Sequence, residues 1–249
     1  MNKSLIAITG AGGFLGRTLA EEISKIHHVR LADIGPMPNF GERMTGDVGD
    51  PVFAARLLEG ADGIVINHML SRAPGAYDHP KAPLDVNATA TAVLFEAAVQ
   101  AGCRKVVLIS SSAVVVGHKK KGLFWDRNLP FAPDDFYGLS KVIQEQIATF
   151  YHQKNGICVA MLRPSYVTDE DSMTDKYGRQ KATANWQFID RRDIASAALA
   201  ALELPDLGLE TFYVLGHADS PNHADVAYTI ERLNWKPRHT FSSFPKDPI

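Results

Sequence analysis

The chain has 249 residues, 45% of them apolar, which is enough to bury the core of one large α/β unit. Its formal net charge is −2 with both signs interspersed, and the one basic run, Lys119-Lys120-Lys121, lies between Gly117 and Gly122 in an expected loop, so nucleic acid is not an expected partner. The two cysteines have no His or Cys at metal-ligand spacing and read as buried or unreactive thiols; with no leader-like start and no membrane-length apolar stretch, the expectation is a cytoplasmic protein without metal or membrane partner.

Leu5-Ile6-Ala7-Ile8 is a short apolar run of the kind a buried parallel strand shows, and Leu15, Leu19, Ile23 and Ile26 continue at helical spacing. Between them lies Thr9-Gly10-Ala11-Gly12-Gly13-Phe14-Leu15-Gly16. A bound pyrophosphate needs free backbone N–H groups, a positive helix end and no side chain in the way, and Gly10, Gly13 and Gly16 would supply these. The bland alternative is a tight turn with no ligand. Val29-Arg30-Leu31-Ala32 reads as the second strand, and Asp33 at its end is suitably spaced to accept hydrogen bonds from adenosine ribose hydroxyls and to repel a 2'-phosphate. The expected cofactor is NAD rather than NADP, with Arg30 near enough in sequence to keep phosphate tolerance open. The bland reading of Asp33 is a loop cap.

A Pro/Gly-rich loop and a short segment around Met44 lead to a helix over Phe53 to Leu58 and a fourth strand, Gly63-Ile64-Val65-Ile66. A long helix from about Pro83 to Ala101 precedes the strand Lys105 to Ile109. A polar, aromatic loop follows, then a helix from about Pro133 to Lys154 and the strand Ile157 to Leu162. Strands apolar throughout and separated by helices predict an α/β fold: a Rossmann-type doubly wound parallel sheet with ligands at the carboxyl ends of its strands. The expected division is a nucleotide-binding core over 1–165, completed by about 189–216. Segments 166–188 and 217–249 would form a small substrate lobe within one compact unit.

Tyr137-Gly138-Leu139-Ser140-Lys141 places a phenol and an ammonium four apart on one helix face, with Leu139, Ile143, Ile147 and Phe150 on roughly the other side. A free tyrosine titrates near about 10, and an adjacent ammonium favours the phenolate, which makes such a pair usable as a base. Ser112 ends the run Ser110-Ser111-Ser112, where a hydroxyl could hold a substrate oxygen or a developing alkoxide. Singly, each of these is usually a surface pair or a turn; together and in this order they are far rarer.

With these motifs the chain resembles the short-chain dehydrogenase/reductase superfamily, in its extended branch of NAD-dependent epimerases, dehydratases and sugar dehydrogenases, over residues 4 to 215. The resemblance includes Gly46-Asp47-Val48-x-Asp50, which lies by the adenine in that family, Asn87, which closes the cofactor site, and Leu162-Arg163-Pro164 beside the nicotinamide. It implies cofactor contacts at Gly10, Gly12, Gly13, Phe14, Leu15 and Gly16, at Asp33, Asp47, Val48 and Asn67, and at Asn87, Ser110, Tyr137, Lys141, Pro164 and Val167. It implies a catalytic group of Ser112, Tyr137, Lys141 and Asn87, the last supporting a proton relay. Asp193 resembles the family's structural aspartate; read alone it is a first-turn dipole residue.

Arg30-Leu31-Ala32-Asp33-Ile34, Leu58-Glu59-Gly60-Ala61-Asp62 and the short tail look most like the uronate dehydrogenases, which oxidise a sugar acid at C1 with NAD. Those enzymes carry Ser-Asn-His where this chain has Ser112-Ala113-Val114. Dehydratases usually place an Asp-Glu pair there, and the usual Val-Tyr-Gly is here Val115-Val116-Gly117. Expected substrate contacts are His68, Ser71, Ser112, Ala113, Tyr166, Arg179 and Trp186, with Arg179 or Lys181 able to pair with a carboxylate. The bland readings are a satisfied loop histidine for His68 and a packing aromatic for Trp186. The leading expectation is a dehydrogenase acting on a sugar or sugar acid. An epimerase with no net redox change and a non-catalytic NAD-sensing protein are the alternatives. The family commonly dimerises through the two long helices, so a homodimer is expected.

Overall fold

The computed structural model describes residues 3–71 and 75–247. The first βαβ unit is β1 (Leu5–Thr9), α1 (Phe14–Ser24) and β2 (His28–Asp33); β3 (Glu42–Thr45), α2 (Pro51–Leu58) and β4 (Gly63–Ile66) follow. Ile26, expected on the first helix, lies beyond its end and is 43% exposed. Asp50 starts α2 by accepting the Val52 N–H, with Pro51 at the first helical position, where a missing N–H costs no intrahelical bond.

The long helix expected over Pro83 to Ala101 is composite. A single turn, α3 (Lys81–Pro83), passes through a π-helical segment, Leu84–Thr89, into α4 (Ala90–Gln100). Side-chain periodicity carries no mark of such a segment, which often accompanies a functional site. After β5 (Lys105–Ile109) come two 3-10 turns, Ser112–Val114 and Val116–Lys121, and then α5 (Phe136–Asn155), β6 (Cys158–Arg163), β7 (Tyr166–Asp169) and β8 (Thr174–Asp175). The chain continues through β9 (Phe188–Asp190), α6 (Arg191–Glu203), β10 (Leu209–Tyr213) and α7 (Val226–Arg232).

Seven strands form one parallel sheet in the order β10-β6-β5-β4-β1-β2-β3. The chain steps outward from β1 through β2 to β3, then crosses back to β4. The switch point therefore opens a crevice beyond the carboxyl ends of β1 and β4. One face of the sheet is covered by Leu19 and Ile23 of α1 with Ile194 and Ala198 of α6. The other is covered by Leu57, Leu58, Leu94, Phe95 and Ala148 of α2, α4 and α5. Cys103 lies in this second core, where burial pushes its thiol up to about 11, while Cys158 is only half-buried.

α5 is capped by Asp135, which accepts the Gly138 N–H at 2.6 Å, and ends at Gly156 in the left-handed conformation. Its buried side is the polar one: Tyr137, Ser140, Lys141, Gln144 and Glu145 face inward, whereas Phe150 on the opposite stripe is 52% exposed. Burial of so many polar groups on one helix is sustained only by partners.

β7, β8 and β9 make a second, three-stranded sheet over the carboxyl end of the large one. The tail packs back onto the nucleotide-binding half. Leu233 and Trp235 join the α1/α6 core, and the Trp235 indole donates to the Ser196 hydroxyl at 2.8 Å. Asp193, buried in the first turn of α6, accepts the N–H groups of Arg238 and His239 and pairs with the His239 ring, so it tethers this tail. No helix among the described residues is long and apolar enough to cross a membrane.

Candidate active site

The glycine turn is built by steric demand. Gly10 has φ +64°, and a Cβ there would lie 2.9 Å from the His68 backbone; a Cβ on Gly16 would lie 1.9 Å from the Gly10 carbonyl oxygen. Gly12 is equally closed off, at 2.5 Å from the Pro36 carbonyl, while Gly13, expected with Gly10 and Gly16 to leave room for a pyrophosphate, has more space at 3.3 Å. Gly13 opens α1 with no side-chain cap, and the first turn carries no acid, so the N–H groups of that helix end are left for a ligand. Asp33 accepts the Gly12 N–H through Oδ2 and the Gly35 N–H through Oδ1, both at 2.9 Å. The carboxylate thus acts as a loop cap and lines the cleft as well.

That cleft, about 730 Å3, runs from Gly10, Gly12, Gly13, Phe14, Leu15 and Asp33 past Asn67 and Ser110 to Tyr137, Lys141, Pro164 and Val167. A bare helix end at one side and a carboxylate at the next strand fit the pyrophosphate and adenosine ribose of a dinucleotide. Four residues expected on its wall are elsewhere. Gly16 is packed beneath Gly10, Asp47 and Val48 lie outside the cleft, and Asn87 is fully buried behind it. Arg30 is turned away, donating to Glu42 and to the carbonyls of Leu57 and Glu59. The cation beside Asp33 is instead Arg17, held by the carbonyls of Gly12 and Pro36 at 2.9 and 3.0 Å. Its only sequence signal is its place directly after the third glycine.

Tyr137 is 8% exposed and meets the edge of Tyr77, with ring centroids 5.6 Å apart. The Lys141 ammonium donates to the Ile109 carbonyl at 2.9 Å and stands 5.9 Å from the Tyr137 ring centre. Burial holds Lys141 below the ordinary lysine range; Tyr137 and Glu145 oppose this, and Lys176 adds to it. Asn87 acts through others: its Oδ1 accepts the Leu70 N–H at 2.7 Å, its amide donates to the Ser140 hydroxyl at 2.8 Å, and Ser140 donates to the Tyr137 carbonyl. The π-helical segment is thereby fastened to the turn that carries the phenol.

A second pocket, of about 530 Å3, adjoins the first and shares Ser111, Tyr137, Ser165, Val167, Lys176 and Tyr177 with it. Ser112, Ala113, Tyr166 and Arg179 line it as expected. Ser112 is held in its turn by the Pro164 carbonyl, which accepts its N–H at 2.8 Å. Three expected substrate contacts lie outside this pocket. His68 and Ser71 line the cofactor cleft, and Trp186 stacks on His223 and meets Trp125 edge-on in a core cluster away from both cavities. Arg179 is bound at 3.0 Å to Asp175. Lys176 and Tyr177, beside Tyr137, were not anticipated, because a polar hairpin with weak periodicity gives no sign of where it folds.

His68 is buried, with Nδ1 3.1 Å from the Thr9 hydroxyl, and burial, helped by the charge of Lys141, lowers its pKa from 6.5 to about 3. Between those values the unfolded chain binds a proton that the folded one refuses, so this contribution to stability is present above pH 6.5 and lost as pH falls towards 3. His68→Gln is expected to flatten the loss of stability on acidification from pH 6.5 to 4. Urea midpoints across that range measure it, and profiles parallel to wild type would refute it.

The sequence matches the NAD dependent epimerase/dehydratase family over residues 6–177. The chain belongs to that family. Among relatives within reach of it, the uronate dehydrogenase of Pseudomonas syringae pv. tomato is 30% identical over 84% of this chain and 73% of its own length. The L-arabinose 1-dehydrogenase (NAD(P)(+)) of Haloferax volcanii is 24% identical over 94% of this chain and 96% of its own. A crystal structure of a mutant uronate dehydrogenase from Agrobacterium tumefaciens complexed with NAD superposes with a TM-score of 0.82 at 25% identity, covering 99% of this chain and 92% of that one. This member of the epimerase/dehydratase family is therefore an NAD-dependent enzyme of the dehydrogenase/epimerase kind.

Proposed function

We propose that the chain is a dehydrogenase that oxidises a hydroxyl of a sugar or sugar acid with NAD, using Tyr137 as the base. The observation that carries this is the place of Tyr137, at the junction of the dinucleotide cleft and the second pocket, with the Lys141 ammonium behind it. When bound, NAD supplies the hydride acceptor. Ser112 holds the substrate oxygen, Tyr137 removes its proton, and Lys141 stabilises the charge left on the phenol while the Ile109 carbonyl fixes its ammonium. Asn87 is a positioning residue that sets the backbone of Tyr137 through Ser140. Segment 166–188 forms the lobe over the substrate together with the end of the tail, Phe241 to Asp247, while the tail as far as His239 packs on α1 and α6.

The test is nicotinamide absorbance with a panel of uronic acids, neutral aldoses and other secondary alcohols. Reduction of NAD that depends on Tyr137 supports the reading. Conversion of a substrate without accumulation of reduced cofactor would overturn it in favour of an epimerase.

The same reading carries a homodimer across the π-helical segment Leu84–Thr89 with α4 and across α5, where Val86 is 37% and Phe150 52% exposed and Leu139 and Ile143 of α5 are half-buried. Light scattering at micromolar concentration should give twice the chain mass; a monomer would reject it.

A further inference from the structure

We propose that Arg17 forms a subsite for a phosphate on the 2' position of the adenosine ribose, so that the cleft takes NADP as well as NAD. This rests on the cleft as the place of the dinucleotide and not on the dehydrogenase reading.

At the ribose edge of the cleft, two opposite charges hold the same two pieces of backbone. Asp33 accepts the Gly12 N–H through Oδ2 and the Gly35 N–H through Oδ1, both at 2.9 Å. Arg17, in the first turn of α1, donates from Nε to the Gly12 carbonyl at 2.9 Å and from a terminal nitrogen to the Pro36 carbonyl at 3.0 Å. The glycine turn and the loop after β2 are therefore joined twice, by a carboxylate on their N–H groups and by a guanidinium on their carbonyls.

Arg17 keeps donors in hand. A guanidinium carries five N–H bonds, and among the described residues only these two carbonyls take from it. It is exposed, and it lines the cleft together with Asp33, Ile34, Gly35 and Pro36. Arg30, the other arginine of this region, is spent on Glu42 and on the carbonyls of Leu57 and Glu59. The remaining cations that line the cleft, Lys141 and Lys176, stand 5.9 and 5.5 Å from the Tyr137 ring centre, at the opposite end. An anion at the ribose edge thus meets one lining cation, and that cation is Arg17.

The loop leaves the edge open. A Cβ on Gly35 would meet nothing closer than Asp33 Oδ1, at 3.6 Å, and Ile34 is 79% exposed. Bulk beside the ribose is therefore not excluded by the chain that follows β2.

A carboxylate at the end of the second strand accepts the ribose hydroxyls of NAD, and by itself it repels a 2'-phosphate. Here both of its oxygens already take main-chain N–H groups, and a guanidinium grips the same turn. A 2'-phosphate withdraws one hydroxyl from Asp33 and offers its oxygens to Arg17, whose planar fork matches phosphate geometry in pairs. The 3'-hydroxyl is left to donate to Asp33. Without the Arg17 side chain the turn keeps its other fastenings: Asp33 still holds Gly12 and Gly35, the Ala11 N–H donates to the Ala32 carbonyl at 3.2 Å, and the Gly46 N–H donates to the Asp33 carbonyl at 3.1 Å.

NAD and NADP differ only by this phosphate, so calorimetric binding of each to the full chain, with no substrate present, isolates it. In wild type the two dissociation constants should lie within about 10-fold of each other. In Arg17→Met the affinity for NADP should fall by about 3- to 30-fold more than the affinity for NAD, as suits a charge-assisted contact at an exposed edge. Arg17→Lys, which keeps the charge and loses the fork, should recover part of that difference. Wild-type binding of NADP more than about 10-fold weaker than that of NAD overturns the proposal. So does an NADP-to-NAD ratio that Arg17→Met moves by less than about 3-fold, because Arg17 would then serve the loop alone. Nicotinamide absorbance with the sugar panel separates this from the dehydrogenase reading: a protein that binds both cofactors and reduces neither loses that reading and keeps the subsite.

Discussion

Tyr137→Phe is expected to lower kcat by about 100- to 10,000-fold, the range that a positioned general base contributes. The substitution removes one oxygen and keeps the ring, and the ring is what packs. It meets Tyr77 edge-on, is 8% exposed, and leaves the Asp135 cap and the Ser140 bond to the Tyr137 carbonyl untouched. The fold and the dinucleotide cleft should therefore survive, since the glycine turn and Asp33 lie at the other end of that cleft. NAD affinity by calorimetry should stay within a few-fold of wild type while turnover, followed by nicotinamide absorbance, collapses. A variant retaining a tenth of the activity would remove Tyr137 from the chemistry and leave Ser112 as the hydroxyl to test next.

The largest effect on stability is expected one helical turn beyond Lys141. Glu145 is 1% exposed and takes a forked pair from Arg163, Nε to Oε1 at 2.9 Å and a terminal nitrogen to Oε2 at 2.6 Å, while the Ser110 hydroxyl donates to Oε1 at 2.6 Å. Arg163, itself 3% exposed, also donates to the Tyr213 hydroxyl at 3.1 Å. The ends of β5 and β6 and the inner face of α5 are thus joined through one carboxylate beneath the cofactor cleft. Glu145→Leu strands a buried guanidinium, and breaking a buried pair in this way costs about 3–5 kcal/mol. At about 2–4 °C per kcal/mol for a chain of this size, the melting temperature should fall by roughly 6–20 °C. The double variant Glu145→Leu/Arg163→Met removes both charges and should recover much of the loss, because the desolvation of an unpaired ion disappears. Thermal melts of the two variants decide it: a single variant that melts within 2 °C of wild type would show the pair to be dispensable, and a double variant no better than the single would show that the loss does not come from a stranded charge.

Much of the nucleotide-binding half was legible in the chain, because its determinants are local. The turn from Thr9 to Gly16 is written in adjacent residues, with Gly13 and Gly16 facing the Gly10 carbonyl, although Gly10 and Gly12 are closed off by the backbones of His68 and Pro36. The spacing of Tyr137 and Lys141 is a property of any helix. The strands announced themselves by apolar runs, and the parallel sheet followed from their alternation with helices.

What periodicity could not settle is which face of an element meets which neighbour. α5 was expected to turn an apolar stripe away from Tyr137 and Lys141, and it does. That the polar face is the buried one depends on Ser110, Arg163, Thr91 and Asn87 arriving from distant parts of the chain to satisfy it. His68 and Trp186 had the chemistry of substrate contacts, but the backbone of β4 and the cluster around Trp125 carried them elsewhere. Arg179 was chosen for its charge, and its partner four residues earlier took that charge up. Lys176 had no pattern to mark it at all.

By itself, then, the sequence determined the sheet, the dinucleotide turn and the phenol–ammonium pair, since each rests on residues close together along the chain whose spacing alone places them. Only the tertiary structure decided the walls of the second pocket, the π-helical anchor at Asn87, the tether at Asp193 and the cation that faces Tyr137. Those depend on contacts between segments far apart in sequence, where the favourable arrangement is set by burial and by the pairing of polar groups that no local pattern encodes.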